Sequence, residues 1–555
     1  MKFLLCSLNS KYIHSSLAPY YLLSGIREFS RTNVEAFILE GTINEKFEEI
    51  LSKILSFNAD LIGFSVYIWN LRRVKELTLK IKEIKPETKI ILGGPEVSYN
   101  AGTILKGNKN VDYILSGEGE WTLPILLDAI NQNSEIPENK GICYKNQGEI
   151  ILSEPYIGFS DPPTPYIPEY FENLKGRISY IETSRGCPFH CAFCLSGRCG
   201  GVRFFDLNKS LENILLLSKS GSKTIKFIDR TFNANKERAK KIVRFILENY
   251  GREIPDDVCF HFEIAGDILD DELISLFGSA PKGSIQLEIG LQSFNEQTLN
   301  SVNRKTNTQK LTKNIQKLIK PQNIHIHIDL IAGLPYEGYE SFKESFNKAY
   351  ILKPHMLQFG FLKILHGSDL EKESYGADYS KNPPYEVIST PWIKESELKL
   401  LHTAEKSLDI LYNSGRFLNT ANVLLNKLNI TPYDFYFETG LLLEKVNTPM
   451  EACQVLLEYG ISKGIDKAVI RDILVTDWLS KSPKLPLCLH IPDKNLKRLG
   501  ILLDEDSSTQ REKNVKRSIA ILYTQERAVY FDHVNPDRIT GRYKEREIPF
   551  FGANS

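Results

Sequence analysis

The 555-residue sequence has no long hydrophobic run. No apolar stretch approaches the ~18 residues that a membrane-spanning helix needs. The initial MKFLLCSLNSKYIH reaches polar residues too early for a signal peptide. The sequence therefore predicts a cytoplasmic protein that does not contact the membrane. In that compartment we expect the nine cysteines to be reduced, which makes disulfide bonds a poor explanation for any cysteine cluster.

The sequence also has no excess of charge of either sign, because Lys+Arg and Asp+Glu both total 69. Nothing in this balance indicates nucleic acid or an anionic membrane as a partner. Internal repeats and low-complexity tracts are absent as well, and 42% hydrophobic with 25% charged residues is typical of a folded soluble protein. A chain of this length should divide into three or four domains of ~150 residues each.

The first part of the chain alternates short apolar strands with amphipathic helices, which is typical of an α/β protein with a parallel sheet. One helix is predicted over residues 70–84, where Leu71, Val74, Leu77, Ile81 and Ile84 mark one face. We predict a flavodoxin-like (Rossmann-type) domain over residues 1–135, because such domains have five strands in this rhythm. Its predicted strands are residues 2–7, 34–39, 61–66, 89–92 and 113–115.

A linker with a small hairpin and a proline-stiffened stretch is predicted over residues 136–174. Six further strand–helix units over residues 175–380 predict a partial (β/α)6 TIM barrel, in which strand ends build the site. Residues 381–555 read as a mainly helical domain in which we find no chemical motif. The predicted barrel strands are residues 178–183, 224–229, 259–264, 284–290, 324–331 and 356–362.

Three cysteines follow the first predicted barrel strand in a C-x-x-x-C-x-x-C pattern within RGCPFHCAFC. They are Cys187, Cys191 and Cys194. Such a group suits an iron–sulfur cluster, whose irons bind cysteine thiolates. The residues alone also allow a zinc site with Cys199 as fourth ligand, or plainly buried cysteines.

This motif, at the end of the first strand of a partial barrel, resembles the radical S-adenosylmethionine (SAM) enzymes. The resemblance covers roughly residues 1–369. It implies a [4Fe–4S] cluster on the three cysteines, with one iron left open for the amino and carboxylate groups of SAM. Reduction then cleaves SAM to a deoxyadenosyl radical, which abstracts hydrogen from a substrate.

Motifs at later strand ends resemble the SAM-binding segments of that family. They are KFIDRTFN, HFEIAGD, LEIGLQSFNEQTL, VNRKTN and HIDLIAGLPYEG. A glycine-rich G-G-E, common in the family, is absent, and an acidic residue at a strand end is often only a cap. The resemblance implies SAM contacts at Phe193, Asp229, Glu263, Glu288, Gln292, Ser293, Arg304 and Gly333.

A flavodoxin-like domain ahead of the barrel resembles the cobalamin-binding branch of the family. The D-x-H-x-x-G motif that many cobalamin domains carry is absent, and a surface or capping role is the simpler interpretation of His14. The small residues at the strand ends are also ordinary turn residues. The resemblance implies cobalamin contacts at Asn9, Ser65, Tyr67, Gly93, Gly94, Gly117 and Gly119.

The expected activity is cobalamin-dependent methyl transfer from SAM to an unactivated carbon or phosphorus of a small molecule. The alternatives are a radical rearrangement, cyclisation or oxidation without methyl transfer, and a zinc-stabilised binding or sensor module without turnover. Methylthio transfer is disfavoured, because the family uses three N-terminal cysteines for it and only Cys6 and Cys143 precede Cys187. We expect flavodoxin or ferredoxin as electron donor.

Overall fold

Short apolar runs separated by amphipathic helices build a sheet from the first part of the chain. The computed structural model describes residues 1–497, 499–500 and 517–548, with the side chain of Cys199 outside this description. The strands of the sheet are β1 (Lys2–Asn9), β2 (Glu35–Thr42), β3 (Leu61–Ser65), β4 (Lys89–Gly93), β5 (Tyr113–Leu115), β6 (Ile142–Asn146) and β7 (Glu149–Ile151). The helices are α1 (Ala18–Phe29), α2 (Phe47–Ser56), α3 (Leu71–Ile84), α4 (Pro95–Ser98), α5 (Ala101–Gly107) and α6 (Gly119–Gln132).

The strand order of this sheet is β2-β1-β3-β4-β5-β6-β7, and the first five strands are parallel. This is the flavodoxin-like order, so the predicted fold of the first domain is confirmed. Strand β1 lies between β2 and β3, and its residues from Phe3 to Asn9 are buried, as expected for a parallel strand covered on both faces. The carboxyl ends of the parallel strands meet at one edge of the sheet.

The hairpin that the sequence analysis places in the linker continues the first sheet instead. Strand β6 pairs antiparallel with β5, with Ile114 opposite Cys143, and β7 then pairs with β6. Strand β5 has only three residues and would otherwise expose the backbone groups of an edge strand. The sequence shows the hairpin but not the partner strand that it covers.

The second region supplies eight strands and eight helices. The strands are β8 (Ser179–Ile181), β9 (Ser184–Gly186), β10 (Val202–Phe204), β11 (Thr224–Phe227), β12 (Cys259–Ile264), β13 (Ile285–Gln292), β14 (His325–Ala332) and β15 (Met356–Phe361). The helices are α7 (Pro168–Leu174), α8 (Leu207–Ser218), α9 (Lys236–Asn249), α10 (Asp271–Gly278), α11 (Glu296–Ser301), α12 (Thr308–Ile319), α13 (Tyr339–Ile351) and α14 (Asp369–Lys372).

Six of these strands form a parallel sheet in the order β8-β11-β12-β13-β14-β15, and the predicted partial barrel is confirmed. Strands β9 and β10 form a separate antiparallel ribbon. Burial alternates strictly along β13, where Ile285, Leu287, Ile289 and Leu291 are buried beneath the helices. The intervening residues of β13 therefore face the inside of the barrel, which we call the bore.

The two sheets are joined where the loop after β1 meets the start of β8. Ile178 donates its backbone N–H to the carbonyl of Ile13 at 2.8 Å. The buried Arg177 side chain donates to the carbonyls of Tyr12 and His14 and pairs with buried Glu40 at 2.6 Å. The carboxyl ends of both sheets therefore open towards each other.

The last part of the chain is helical, as predicted, with a small sheet at its end. Helix α15 buries Leu398, Leu401, Ala404 and Leu408 on one face, and α17 packs on α13. No helix within the described ranges is long and apolar enough to cross a membrane. The elements are β16 (Asp378–Tyr379), β17 (Val387–Ser389), α15 (Glu395–Leu408), α16 (Leu418–Leu428), α17 (Pro432–Leu442), α18 (Pro449–Ser462), α19 (Lys467–Leu479), β18 (Arg517–Leu522), β19 (Arg527–Asp532) and β20 (Glu545–Ile548).

We predict that Arg177→Ala lowers the free energy of unfolding by about 3–5 kcal/mol, because it leaves the Glu40 carboxylate buried without its cation. Urea unfolding followed by circular dichroism measures the change. The matched control is Arg27→Ala, which breaks the exposed Arg27–Glu169 pair and should cost under about 1 kcal/mol. Equal losses in the two variants would contradict this account of the junction.

Candidate active site

The three cysteines of the motif lie together on a loop that follows β9. Cys187 and Cys191 are buried and Cys194 is half-buried, and besides burial the proximity of the other two cysteines contributes to raising the pKa of Cys191. The loop is anchored through Ala192, whose N–H donates to the carbonyl of Val302 at 2.9 Å. Its carbonyl accepts from the N–H of Leu370 at 3.1 Å. Three adjacent thiols on a fixed loop suit an iron–sulfur cluster.

Arg304 connects this loop to the end of β13. Its guanidinium donates to the Gly290 carbonyl at 2.5 Å, lies 3.7 Å from the Cys191 sulfur and stacks over the Phe189 ring. Burial raises the pKa of Cys191, and the Arg304 charge lowers it. Because thiolates are the metal ligands, this cation favours the ligating form. The structure thus places Arg304, predicted as a SAM contact, directly beside the loop that carries the three cysteines, which we call the cysteine loop.

Asp229, predicted as a SAM contact, has protein partners for its carboxylate in this structure. Its side chain is fully buried and accepts hydrogen bonds from the Thr183 N–H, the Thr183 hydroxyl and the Ser184 hydroxyl at 2.6–2.9 Å. Burial raises the pKa of Asp229 to about 6. Because its oxygens already bind protein donors, Asp229 positions residues 183 and 184 just before the cysteine loop.

Ser293, also predicted as a SAM contact, likewise has protein partners for its hydroxyl. Its hydroxyl is buried and donates to Glu337 at 2.6 Å, and Ser345 donates to the same oxygen at 3.1 Å. Burial without a cationic partner raises the pKa of Glu337 to about 7. Glu337 is not among the residues predicted from the sequence, although an acid in the turn GLPYEG after a barrel strand is a sequence signal for it.

Gln292 remains well placed for a ligand. It ends β13 with φ of 70°, a left-handed conformation that is uncommon for residues other than glycine and often marks functional positions. Its side-chain oxygen Oε1 is buried and has no hydrogen-bond partner in the protein. A buried acceptor without a donor is costly, so this atom fits a donor group of a bound molecule such as SAM.

The remaining predicted SAM residues fall into two groups. Phe193 is half-buried against the barrel core, and Gly333, with φ of 85°, begins the turn after β14. Glu263 and Glu288 face the bore, where the Lys226 ammonium lies 3.5 Å and 3.1 Å from their carboxylates. Burial raises the pKa of Glu288, but the His261 hydrogen bond and the Lys226 charge outweigh it and bring the pKa to about 2.

A cavity of about 720 Å³ lies between the two sheets. Its size falls within the ~300–1,000 Å³ of ordinary ligand pockets. The wall from the barrel side includes Gly186, Leu195, Ser196 and Arg198, which flank the cysteines. The opposite wall includes every residue predicted to contact cobalamin, namely Asn9, Ser65, Tyr67, Gly93, Gly94, Gly117 and Gly119.

Two of these glycines are required by the protein backbone itself. A Cβ on Gly94 would lie 2.5 Å from the Val66 carbonyl oxygen, and one on Gly117 would lie 2.2 Å from that of Tyr156. Both residues also adopt positive φ, at 110° and 91°. At these positions glycine is therefore explained by the turn and not by the approach of a ligand.

Polar and aromatic groups complete the cavity wall. Tyr67 and Trp69 stack with ring centroids 4.4 Å apart. The His14 Nδ1 lies 2.7 Å from the Tyr180 hydroxyl across the junction of the two sheets. Burial and then the charges of Lys11, Lys226 and Arg177 lower the pKa of His14, so its imidazole is neutral at pH 7.

An ion-pair network that the sequence analysis missed links the cysteine loop to the first domain. Arg185, two residues before Cys187, pairs with Glu120 at 2.5 Å, Glu118 at 3.0 Å and Glu182 at 2.8 Å. Glu118 and Glu120 lie at the start of α6 in the first domain, more than 60 residues before Arg185, so the sequence has no local signal for their part of the network. It fixes the β9 end of the cysteine loop against the cavity wall.

Family comparisons agree with this geometry. The B12 binding domain family matches residues 8–127, the radical SAM superfamily matches residues 181–349, and a protein family of unknown function (DUF4080) matches residues 373–538. The chain belongs to the cobalamin-dependent radical SAM family. A [4Fe–4S] cluster, SAM and cobalamin are therefore its indicated cofactors, and the thiols, the buried Gln292 oxygen and the cavity fit them.

Relatives of this radical SAM protein include enzymes with different products. A 2-(S-pantetheinyl)-carbapenam-3-carboxylate methyltransferase of Streptantibioticus cattleyicolor is 24% identical over 311 residues, 51% of this chain and 44% of the relative. An anaerobic magnesium-protoporphyrin IX monomethyl ester cyclase of Rubrivivax gelatinosus is 26% identical over 345 residues, 59% of this chain and 60% of the relative. The chain spans about half the length of the curated relatives it matches.

Among solved structures, the cobalamin-dependent SAM radical enzyme OxsB, with aqua-cobalamin and SAM bound, shares the fold. The TM-score is 0.58 at 16% identity, with 92% of this chain and 82% of OxsB covered. At this identity the likeness concerns the fold alone.

We predict that replacing Cys187, Cys191 and Cys194 by alanine abolishes iron and sulfide binding on anaerobic reconstitution, because it removes all three thiolate ligands. Iron and sulfide analysis with visible absorbance measures the loss. The matched control is Cys259→Ala. Burial raises the pKa of Cys259 to about 12, so it stays a thiol and its removal should leave the iron content unchanged. Full iron content in the triple variant would contradict the assignment.

We further predict that Glu337 makes the protein less stable as pH rises. Its folded pKa of about 7 lies above the ~4.3 of an unfolded glutamate, so stability is greatest below pH ~4.3 and is lost up to about pH 7. Glu337→Gln should remove roughly 3 kcal/mol of this pH dependence.

Urea unfolding at pH 5 and pH 8 measures the change. Exposed Glu340, which pairs with Lys343 at 3.2 Å, gives the matched control Glu340→Gln, expected to unfold with the pH dependence of the wild type. If Glu337→Gln also kept that dependence, the neutral form of Glu337 would be disproved.

Proposed function

We propose that this protein transfers a methyl group from SAM to an unactivated carbon or phosphorus of a small molecule. The observation that carries the proposal is a cavity whose walls include the B12-domain strand ends and, across from them, the residues that flank the three cysteines, Gly186 and Leu195. The similarity to a carbapenam methyltransferase supports the proposed reaction class.

The residues of the chain have distinct parts in this proposal. When bound, the cluster supplies the electron that cleaves SAM, and cobalamin supplies the methyl group. Cys187, Cys191 and Cys194 hold the cluster, and Gln292 Oε1 accepts a hydrogen bond from SAM. The stacked Tyr67 and Trp69 rings supply an aromatic wall of the cavity for bound cobalamin. We propose flavodoxin or ferredoxin as the source of the electron.

The second candidate keeps the same cofactors and forms a product without the methyl group. The similarity to a magnesium-protoporphyrin ester cyclase, over 59% of this chain, favours it. Methylthio transfer has less support, because Cys6 and Cys143 are both buried in the first domain, and burial raises the pKa of Cys6 to about 12. A zinc module would need Cys199, whose side chain lies outside the described residues, and the radical SAM match argues against it.

We predict that the anaerobically reconstituted protein, given methyl-labelled SAM, a reductant and a small-molecule cell extract, puts the label into a new product. Methyl transfer consumes two SAM molecules. One donates its methyl group and becomes S-adenosylhomocysteine, and the other is cleaved to the radical that ends as 5′-deoxyadenosine. The two products should therefore form in a 1:1 ratio. Mass spectrometry measures all three compounds. The control Cys191→Ala should form no 5′-deoxyadenosine. 5′-Deoxyadenosine without label in any product would reject methyl transfer in favour of the second candidate.

A further inference from the structure

The bore of the barrel contains a group of three side chains whose ligand atoms converge. Glu288 stands on β13, and His327 and Asp329 stand on the adjacent strand β14. One ligand atom from each lies within 4.8 Å of the other two. Glu288 is directly opposite His327 in the strand register, and Asp329 follows on the same face. The positions are thus set by two neighbouring strands and not by loops.

Two of these atoms are buried without a hydrogen-bond partner. They are His327 Nε2 and Asp329 Oδ1, which lie 3.0 Å apart without the alignment of a hydrogen bond. His327 is only 8% exposed. Ligands ~2.1 Å from one octahedral ion at right angles to each other are also ~3.0 Å apart. The separation suits two atoms that share an ion, and it equally suits an ion pair when His327 is protonated.

Carboxylates outnumber the permanently charged bases of the bore, and His261 and His327 add positive charge only when protonated. Glu263, Glu288 and Asp329 carry three negative charges, against one from Lys226 and one from Arg230 at the rim, 3.9 Å from Glu263. Lys226 and His261 both contact the Oε2 oxygen of Glu288, which leaves its Oε1 oxygen for another ligand. Buried charge without compensation is expensive, so a bound cation would relieve the excess.

We propose that Glu288, His327 and Asp329 form a binding site for one divalent cation of the Mn²⁺ or Zn²⁺ class inside the barrel. One imidazole and two carboxylates suit these ions. Three protein ligands leave positions open, and an oxygen donor of the substrate, such as a carboxylate or phosphate, would occupy them.

The site lies close to the cysteine loop. Gly290 follows Glu288 by two residues, about 7 Å along the strand, and its carbonyl accepts from Arg304, which contacts Cys191. An oxygen group held by the cation would therefore place the rest of a small substrate towards the SAM-binding side of the bore. This role rests on the proposed function, whereas the cation site itself does not.

Titration of the full-length, reconstituted and chelator-treated protein with Mn²⁺ tests the proposal, with free Mn²⁺ followed by its paramagnetic resonance signal. We expect one bound ion per chain. Asp329→Asn and His327→Gln should each weaken Mn²⁺ binding at least ~10-fold, because each removes a ligand. Unchanged iron content and circular dichroism show that each variant is folded.

The matched control is Glu263→Gln, which removes a negative charge of the same bore but no ligand, and should therefore weaken Mn²⁺ binding clearly less than Asp329→Asn. The protein without the three cluster cysteines should still bind one Mn²⁺, so this site and the proposed reaction fail independently. Absence of a stoichiometric Mn²⁺ or Zn²⁺ site in the wild type would overturn the proposal. Equal weakening by Glu263→Gln and Asp329→Asn would also overturn it.

Discussion

One buried guanidinium determines how the two sheets of this protein face each other. Arg177 binds Glu40 of the first sheet and the carbonyls of the loop after β1, while it directly precedes the first barrel strand. Because both side chains are buried, loss of either one would leave the other charge buried without a partner, at a large cost in folding free energy. The shared cavity and the contact between His14 and Tyr180 lie at that junction, while Arg185, Val302 and Leu370 hold the cysteine loop.

Electrostatic groups are distributed unevenly around the site. Arg185 pairs with three carboxylates in the cavity wall, and Arg304 is the cation beside the cysteines. In the bore, three carboxylates lie against two permanently charged bases, Lys226 and Arg230, and two histidines. The side chains nearest the thiols thus favour bound anionic sulfur, whereas the bore favours a cation. This difference supports separate ligand sites along one barrel.

The sequence predicts the architecture well because its signals are local. Apolar periodicity located the strands of both parallel sheets, and cysteine spacing selected the loop that carries the motif. Asp229 and Ser293 show where such reasoning ends. Each stands at a strand end, as predicted, but its hydrogen-bond partners come from residues 183–184 and from Glu337. Partners that distant leave no periodic or spacing signal. The pairing of the β6–β7 hairpin with β5 is not predicted from the sequence for the same reason.

The backbone of Ala192 ties the cysteine motif to distant parts of the chain. Its amide and its carbonyl are bonded to residues 302 and 370, which lie 110 and 178 positions away. Arg198 adds an ion pair with Asp369 at 2.6 Å. The positions of the sulfur atoms thus depend on hydrogen bonds to residues 302 and 370, which supply no ligand to the cluster. We therefore expect substitutions near residues 302 and 370 to be limited by the need to keep the cluster ligands in place, although these residues do not contact the iron.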